Sequence, residues 1–390
     1  MNRIDQKLSV PFEFPVIFTR DVFAPSNCAL LDAIDRRDET AAGAPHRAMV
    51  FVEESVERHH AGLTGKVTRY FQARPRQLEL AAPPQIVVGG EAIKNDFSLV
   101  EKFAAQMLAA HLSRHAYVII VGGGATLDAI GFAAALVHRG LRQVRVPTTV
   151  LSQNDGGVGV KNGVNFASQK NALGVFAPPW AVINDFDFLA SLGERQWLDG
   201  IAEAFKVAII RDKPFFDFLV SNSVKLRGRD PAAMQHLIFR CAELHLEHIR
   251  VNGDPFEFGH ARPLDLGHWS AHKLETLSGF AISHGEAVAI GILLDSLYAV
   301  GKGWLGRAEF DAIHAAFREA GLPPWLDELE TAGNTAGLKI FDGIAEFQEH
   351  LGGKLCVTFP LGIGRRHEVH EIDMPAMRAA IAGLKALAGS

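Results

Sequence analysis

Between residues 40 and 190 the chain alternates short apolar runs with longer amphipathic stretches. Residues 48–52 (AMVFV), 85–88 (QIVV), 117–121 (YVIIV), 144–147 (VRVP) and 181–184 (AVIN) predict buried strands. The 117–121 run meets three glycines and then an apolar-periodic stretch that predicts a helix to about residue 137. Strand–loop–helix alternation of this kind argues for a mostly parallel sheet with helices on its faces. After about residue 190 strand signals nearly vanish. Residues 197–210, 232–251, 271–277, 286–300 and 307–320 predict helices, and a short strand returns at 354–359. The pattern therefore predicts an N-terminal α/β domain, residues 1–190, and a mainly helical C-terminal domain, residues 191–390. The boundary falls near 185–200, and the natural place for a catalytic cleft is between the two.

Composition narrows the classes. Of 390 residues, 48% are hydrophobic and 21% charged, which excludes a disordered chain and suffices for a core in each half. Lys plus Arg number 39 against 44 Asp plus Glu, a net charge of −5, so no nucleic-acid partner is expected. Cys28, Cys241 and Cys356 are too few and too scattered for a disulfide framework or a cysteine-type zinc site. A reducing, cytoplasmic location is the expectation. The first six residues are not followed by an apolar run, so no signal peptide is expected. The most apolar stretch, 117–137, is broken by Gly122-Gly123-Gly124 and Asp128, so no membrane span is expected either. The chain carries 17 histidines, the residue most used as metal ligand and proton carrier near neutral pH.

Three constellations carry candidate chemistry. The loop Val121-Gly-Gly-Gly-Ala-Thr-Leu-Asp128 joins a strand to a helix, where glycines admit a phosphate to the helix N-terminus. Gly89-Gly90-Glu91 with Lys94 closes a second strand in the same way, and two such turns suit a dinucleotide at a sheet edge. A tight turn with no ligand is the alternative account of the first loop. His268 and His272 stand four apart on one predicted helical face, His284 follows sixteen residues after His268, and Glu203 shares a face with Lys206. Two histidines and a carboxylate suit Zn²⁺ with an open position, although a bare HxxxH is more often a packing or surface pair. The glycine-rich segment 154–165 carries Asp155 and Lys161, and Lys170 and Asn171 follow it. It reads as active-site loop material suited to phosphate, or as a solvated loop with incidental charges.

Taken together these runs resemble the sugar-phosphate cyclase superfamily typified by 3-dehydroquinate synthase. The resemblance spans about residues 89–364. It covers GGGATLD, His138-Arg139-Gly140, VPTTVLSQND, GVKNGVN, Gln169-Lys170-Asn171, the 184–189 run, GIAEAFK, GHxxxH, HGEAVAIG and FPLGIG. It implies a Rossmann-like NAD-binding domain followed by a helical metal-binding domain. It also implies a redox-neutral cyclisation of a seven-carbon sugar phosphate with elimination of phosphate. NAD would act as a catalyst, and Zn²⁺, with Co²⁺ as an alternative ion, would polarise the hydroxyl to be oxidised. By the resemblance, Glu203, His268 and His284 hold the metal. Lys161, Asn171, Lys206 and His272 hold the phosphate or relay protons. Asp155 and Lys170 lie between nicotinamide and substrate. Gly123, Gly124, Asp128, Thr148, Thr149, Glu91 and Lys94, together with Asp155, Lys161 and Lys170, match cofactor contacts. Glu53 stands for the usual ribose-binding aspartate. Arg139 matches an arginine that reaches the phosphate of the neighbouring subunit, which implies a homodimer.

The departures cluster on substrate recognition. Ala261, with Arg262 beside it, replaces an arginine that binds the substrate carboxylate, and Asp265 replaces an asparagine. A lysine in the preceding helix appears as His245 or Glu247, and the late substrate lysine has no clear counterpart, the 346–353 region taking its place. A lost arginine removes a bidentate carboxylate partner, and an added aspartate repels one. These changes, with Arg262-Pro263 and FQEHLGG, are more similar to the valiolone-synthase branch and favour a sedoheptulose 7-phosphate-like substrate. His272, however, stands where that branch often has proline. A genuine 3-dehydroquinate synthase is the alternative. An iron- or zinc-dependent alcohol or glycerol dehydrogenase is the alternative from another class, and a non-catalytic binding protein is a third.

Overall fold

The computed structural model describes residues 3–37, 44–167, 169–251, 256, 264–333, 337–350 and 353–389. The chain forms two compact units. One comprises Met1–Thr148 with Val160–Phe188, and the other Thr149–Gly159 with Leu189–Ser390.

The first unit is built on a seven-stranded sheet. Its strands are β1 (Val16–Thr19), β2 (His46–Glu53), β3 (Leu78–Leu80), β4 (Gln85–Val87), β5 (Tyr117–Gly122), β6 (Arg142–Pro147) and, after a hairpin, β9 (Ala181–Asp185). The order is β1-β9-β6-β5-β2-β3, with β4 also on β2, and every pairing is parallel. Alternate residues of one strand feed two cores. Val50, Val52, Ile119 and Val121 pack on one face with the Leu63–Gln72 helix. Met49, Phe51, Val118 and Ile120 pack on the other with the Phe97–Ala109 and Gly124–Leu136 helices. Both faces are covered, which is why these strands read as unbroken apolar runs. After β2 the chain steps outward to β3 and β4, then returns to β5 on the other side of β2. The strand order reverses there, and in such sheets ligands bind beyond the carboxyl ends of the strands at the reversal.

The segment 154–165, expected as a loop, is ordered. A π-helical turn, Ser152–Gly156, leads to an antiparallel hairpin of β7 (Lys161–Phe166) and β8 (Gln169–Phe176). β7 lies against the Gly124–Leu136 helix so closely that a Cβ on Gly131 would stand 2.1 Å from Asn162 Oδ1. The segment alternates too weakly, and holds too many glycines, to read as strand from local pattern.

The second unit is mainly helical: Glu194–Arg211, Lys213–Arg227, Pro231–Val251, His268–Leu277, His284–Gly301, Arg307–Ala320 and Met374–Ala388 are its longer helices. The expected short strand is one arm of an antiparallel pair, β10 (Val357–Pro360) with β11 (Arg366–Val369). No helix among the described residues is long and apolar enough to cross a membrane. All three cysteines are free, Cys28 exposed and Cys241 and Cys356 buried.

Candidate functional site

In the first unit the glycine loop closes β5 at the reversal of the sheet. Gly123 precedes the Gly124–Leu136 helix and no side chain caps it. A Cβ on Gly124 would meet nothing within 4 Å, whereas one on Gly122 would stand 2.8 Å from Thr126 Cγ2. The first turn of the helix therefore presents backbone N–H groups toward open space, a cradle suited to a dinucleotide pyrophosphate. Glu53, at the end of β2, accepts from Gly123 N and Thr126 Oγ1 through Oε2, both at 2.8 Å, and from Ser55 Oγ at 2.5 Å. Its longer side chain clamps the loop. Thr148 is buried, and its N–H donates to Gly122 O at 3.1 Å, tying the end of β6 to the same loop. Lys94 is buried and donates to Asp128 Oδ2 at 2.8 Å and to Asn171 Oδ1 at 2.5 Å. Glu91 accepts from Asn165 Nδ2 at 2.8 Å. These bonds tie the second glycine turn and the hairpin to the loop helix. Lys161 is exposed at the start of β7 and Lys170 half-buried on β8. Arg139 is not with them. It lies in a left-handed turn at the far end of the Gly124–Leu136 helix, at φ 65° after His138 at φ 52°.

In the second unit two close backbone contacts bring together residues far apart in sequence. A Cβ on Gly285 would stand 2.3 Å from Asp199 Cα, so the start of the His284–Gly301 helix touches the Glu194–Arg211 helix one turn before Glu203. A Cβ on Gly291 would stand 2.2 Å from Gly267 O, which seats the His268–Leu277 helix on the same element. Ser283 and Glu286 form a reciprocal capping box that starts the helix at His284. Asp295, fully buried, accepts from Gly267 N at 2.8 Å and Trp269 Nε1 at 2.9 Å and so anchors the turn before His268. Burial pushes that carboxyl up to about 7.

Glu203, His268 and His284 each then offer one donor atom, all within 4.8 Å of one another. Glu203 Oε1 is buried and lies 3.6 Å from His268 Nε2 and 3.4 Å from His284 Nε2. A buried carboxylate oxygen facing two imidazole nitrogens is a donor set that fits a divalent zinc-class ion. The other nitrogens are held: His268 Nδ1 is 3.1 Å from Leu266 O, and His284 Nδ1 is 3.3 Å from Glu275 Oε2. Such outer contacts leave Nε2 as the ligating atom. Burial lowers the His268 pKa, with Lys206 adding to the effect, so the neutral ring is favoured. Burial would lower His284 too, but hydrogen bonds to Glu203 and Glu275 lift it to about 10. His272 is exposed on the same helical face as His268, their ring centroids 5.5 Å apart.

A buried charge network adjoins this triad. Lys206 Nζ lies 2.5 Å from Glu203 Oε2 and 3.4 Å from Asp155 Oδ2, and Asp155 Oδ1 lies 3.0 Å from His245 Nδ1. Burial alone would raise the Asp155 carboxyl, yet Lys206 and His245 hold it well below the usual range. Burial alone would lower Lys206, yet the two carboxylates raise it. The π-helical turn delivers Asp155 to this place because Asn154 Nδ2 donates to Gly200 O at 2.8 Å. Gly200 has no room for a Cβ, which would stand 2.4 Å from Val150 Cγ1. Thr149 N donates to Ser152 Oγ at 3.0 Å and starts that turn.

Sequence reasoning missed Glu275 and Asp295. Glu275 had a signal, standing seven residues after His268 on the face already chosen; Asp295 had none, because only the helix crossing brings it to Gly267. Of the two residues weighed for the missing lysine, the structure puts His245 in the charge network. Ala261, Arg262 and Pro263 lie outside the described residues.

The 3-dehydroquinate synthase N-terminal family model matches residues 85–199, and the 3-dehydroquinate synthase C-terminal model matches residues 200–339. The chain is 34% identical to a 3-dehydroquinate synthase of Azotobacter vinelandii over 299 residues, 76% of this chain and 79% of that one. Its fold is similar to that of 2-epi-5-epi-valiolone synthase from Streptomyces hygroscopicus subsp. jinggangensis 5008, solved with NAD⁺ and Zn²⁺ bound. The TM-score is 0.83 at 27% identity, over 99% of each chain. It shares the fold of a 2-deoxy-scyllo-inosose synthase at TM-score 0.72 and 20% identity, over 94% of this chain and 96% of that one. With both halves matched in order along one chain, the protein belongs to the 3-dehydroquinate synthase family, within the sugar-phosphate cyclase superfamily of enzymes.

Proposed function

We propose that the protein is an NAD- and zinc-dependent sugar-phosphate cyclase that converts a seven-carbon sugar phosphate to a carbocycle with release of phosphate. The observation that carries this reading is the convergence of Glu203, His268 and His284 beside the Lys206–Asp155–His245 network, in a chain matched along both halves by the family models. Both alternatives from other classes lack that support. A plain alcohol oxidation needs no such lysine set, and a binding protein needs no such donor triad.

When bound, the metal would polarise the substrate hydroxyl and the nicotinamide would take up and return one hydride. This chain's own residues do the rest. The uncapped first turn after Gly123 receives the pyrophosphate of the dinucleotide, with Glu91, Lys94, Asp128, Thr148 and Thr149 around it. Lys206, charged between two carboxylates, donates a hydrogen bond from Nζ and keeps Glu203 ionised. Asp155 and Lys170 orient substrate against the nicotinamide, while Lys161 and Asn171 bind the phosphate. His272, exposed next to the triad, moves a proton to or from that phosphate. Arg139 serves the second subunit of a homodimer, as its place apart from the rest of its unit's site residues suggests.

The substrate is of the sedoheptulose 7-phosphate type. Asp265, three residues before His268, repels a carboxylate, and the likeness to the valiolone synthase supports a neutral group there. Phosphate release from sedoheptulose 7-phosphate and from the carboxylated 3-deoxy-heptulosonate is to be measured in parallel. Turnover of the former without accumulation of NADH is expected. Efficient turnover of only the carboxylated sugar would establish the 3-dehydroquinate synthase reading instead, and net NADH formation a dehydrogenase.

A further inference from the structure

The amino ends of the strands in the first unit enclose a groove of about 600 Å³, within the size range of small-ligand pockets. It is lined by residues 11–13, 36–37, 114–115, 139–143 and 176–180. These stretches precede or begin β1, β2, β5, β6 and β9, whereas the glycine turns follow β4 and β5. The groove is thus separated from the dinucleotide end by the length of a strand, about 20 Å for six residues.

Its chemistry is one-sided. Arg36, Arg37, Arg114 and Arg142 line it with His115, Arg139, proposed above to serve the second subunit, stands at its edge, and Glu13 is the one carboxylate among the described lining residues. Two of the guanidiniums are held in place. Arg36 and Arg142 lie over the Trp180 ring, 4.4 Å and 4.3 Å from its centroid. The indole is itself pinned by Nε1 donating to Ala33 O at 2.8 Å. Arg36 also donates to Glu13 O and Trp180 O, both at 2.9 Å, and Arg142 donates to Tyr117 Oη at 3.1 Å. Arg37 reaches Glu13 Oε2 only at 3.4 Å. Two consecutive non-glycine residues in left-handed conformation, His138 and Arg139, turn the chain at its edge. Strain of this kind persists where the surrounding structure holds it, commonly at functional sites. Burial lowers the Arg36 pKa, and the charge of Arg37 lowers it further, so the cations repel one another as they stand.

We propose that this groove is a second ligand site, one that takes a small polyvalent oxyanion of the phosphate class. Stacked guanidiniums present planar paired donors at little further entropic cost, the arrangement that matches phosphate oxygens. A groove of this size admits a metabolite-sized anion, which favours that occupant over an acidic protein segment.

The test is calorimetric titration of the full-length protein with inorganic pyrophosphate. Three forms are compared: the wild type, the charge-reversed R37E/R114E variant and K161A. Arg37 and Arg114 are exposed, so the variant keeps its fold, which its melting temperature without anion checks. Binding is expected to persist in K161A and to weaken at least about tenfold in R37E/R114E. Binding lost in K161A and unchanged in R37E/R114E would overturn the proposal and place the anion at the glycine-loop end. Absence of binding in the wild type would overturn it as well. Sedimentation in parallel covers the remaining case: a dimer that becomes a monomer in R37E/R114E with anion binding unchanged would make the groove a contact between copies.

Discussion

Glu275 offers the sharpest check on the proposed metal centre. It is buried in the same helix as His268 and sits 3.3 Å from Nδ1 of His284, whose Nε2 faces Glu203. The carboxylate holds the ring in the tautomer that presents Nε2 and adds negative charge behind the ligand. Loss of such a partner typically weakens metal affinity 10- to 100-fold, about 1.4–2.7 kcal/mol. Glu275→Gln keeps an oxygen acceptor but not the charge, so about tenfold weaker zinc binding is expected. Glu275→Ala also leaves the Nδ1–H of the half-buried His284 without that acceptor and should approach about 100-fold. The assay is competition for Zn²⁺ against a chromophoric chelator, with thermal melting as a control for folding. Turnover should recover at saturating zinc in Glu275→Gln, because no substrate contact is lost. A Glu275→Ala protein that melts normally and binds zinc within about twofold of wild type would refute the account of how His284 is oriented.

Four further outcomes follow from the same geometry. Gly285→Ala forces a methyl into the Asp199 backbone, where the contact would be 2.3 Å; overpacking should cost about 1–3 kcal/mol and lower metal content by elemental analysis. Lys206→Met strands Glu203 and Asp155 without their cation, and removing one partner of a buried pair should cost about 3–5 kcal/mol in chemical denaturation of the metal-free protein. Burial raises Asp199 to about 6, so folding favours its protonated form; that stabilisation is full below about pH 4 and is lost as pH rises through 6. Asp199→Asn should flatten this part of the melting profile, by up to about 3 kcal/mol, and an unchanged profile would contradict it. Asp265→Asn removes a like charge from the approach of a carboxylated sugar, and its kcat/KM relative to the uncarboxylated sugar should rise about fivefold, the value of about 1 kcal/mol for one screened charge pair.

Much of this protein is legible in one dimension. The apolar runs at 117–121 and 181–184 appear as β5 and β9, because a strand covered on both faces is apolar at most positions. The S-x-x-E at Ser283 marks the helix start that carries His284, and the HxxxH spacing puts His268 and His272 on one face. These are local signals, decided by periodicity and by the capping of backbone N–H groups. The hairpin of β7 and β8 was not legible, since its order comes from packing on the Gly124–Leu136 helix rather than from its own weak pattern.

What the chain alone determined is therefore most of its elements, its family and the residue types of its chemistry. What the tertiary structure decided is their company. Glu203 meets His268 and His284 only because Gly285 and Gly291 let three helices touch backbone to backbone. Asp155 joins Lys206 only because its turn is bonded to Gly200. Arg139, thirteen positions after Thr126 of the glycine loop, stands among arginines at the opposite end of the sheet. Contacts of this kind join residues tens of positions apart through close approach of backbones, and no periodicity within a window of the sequence encodes them.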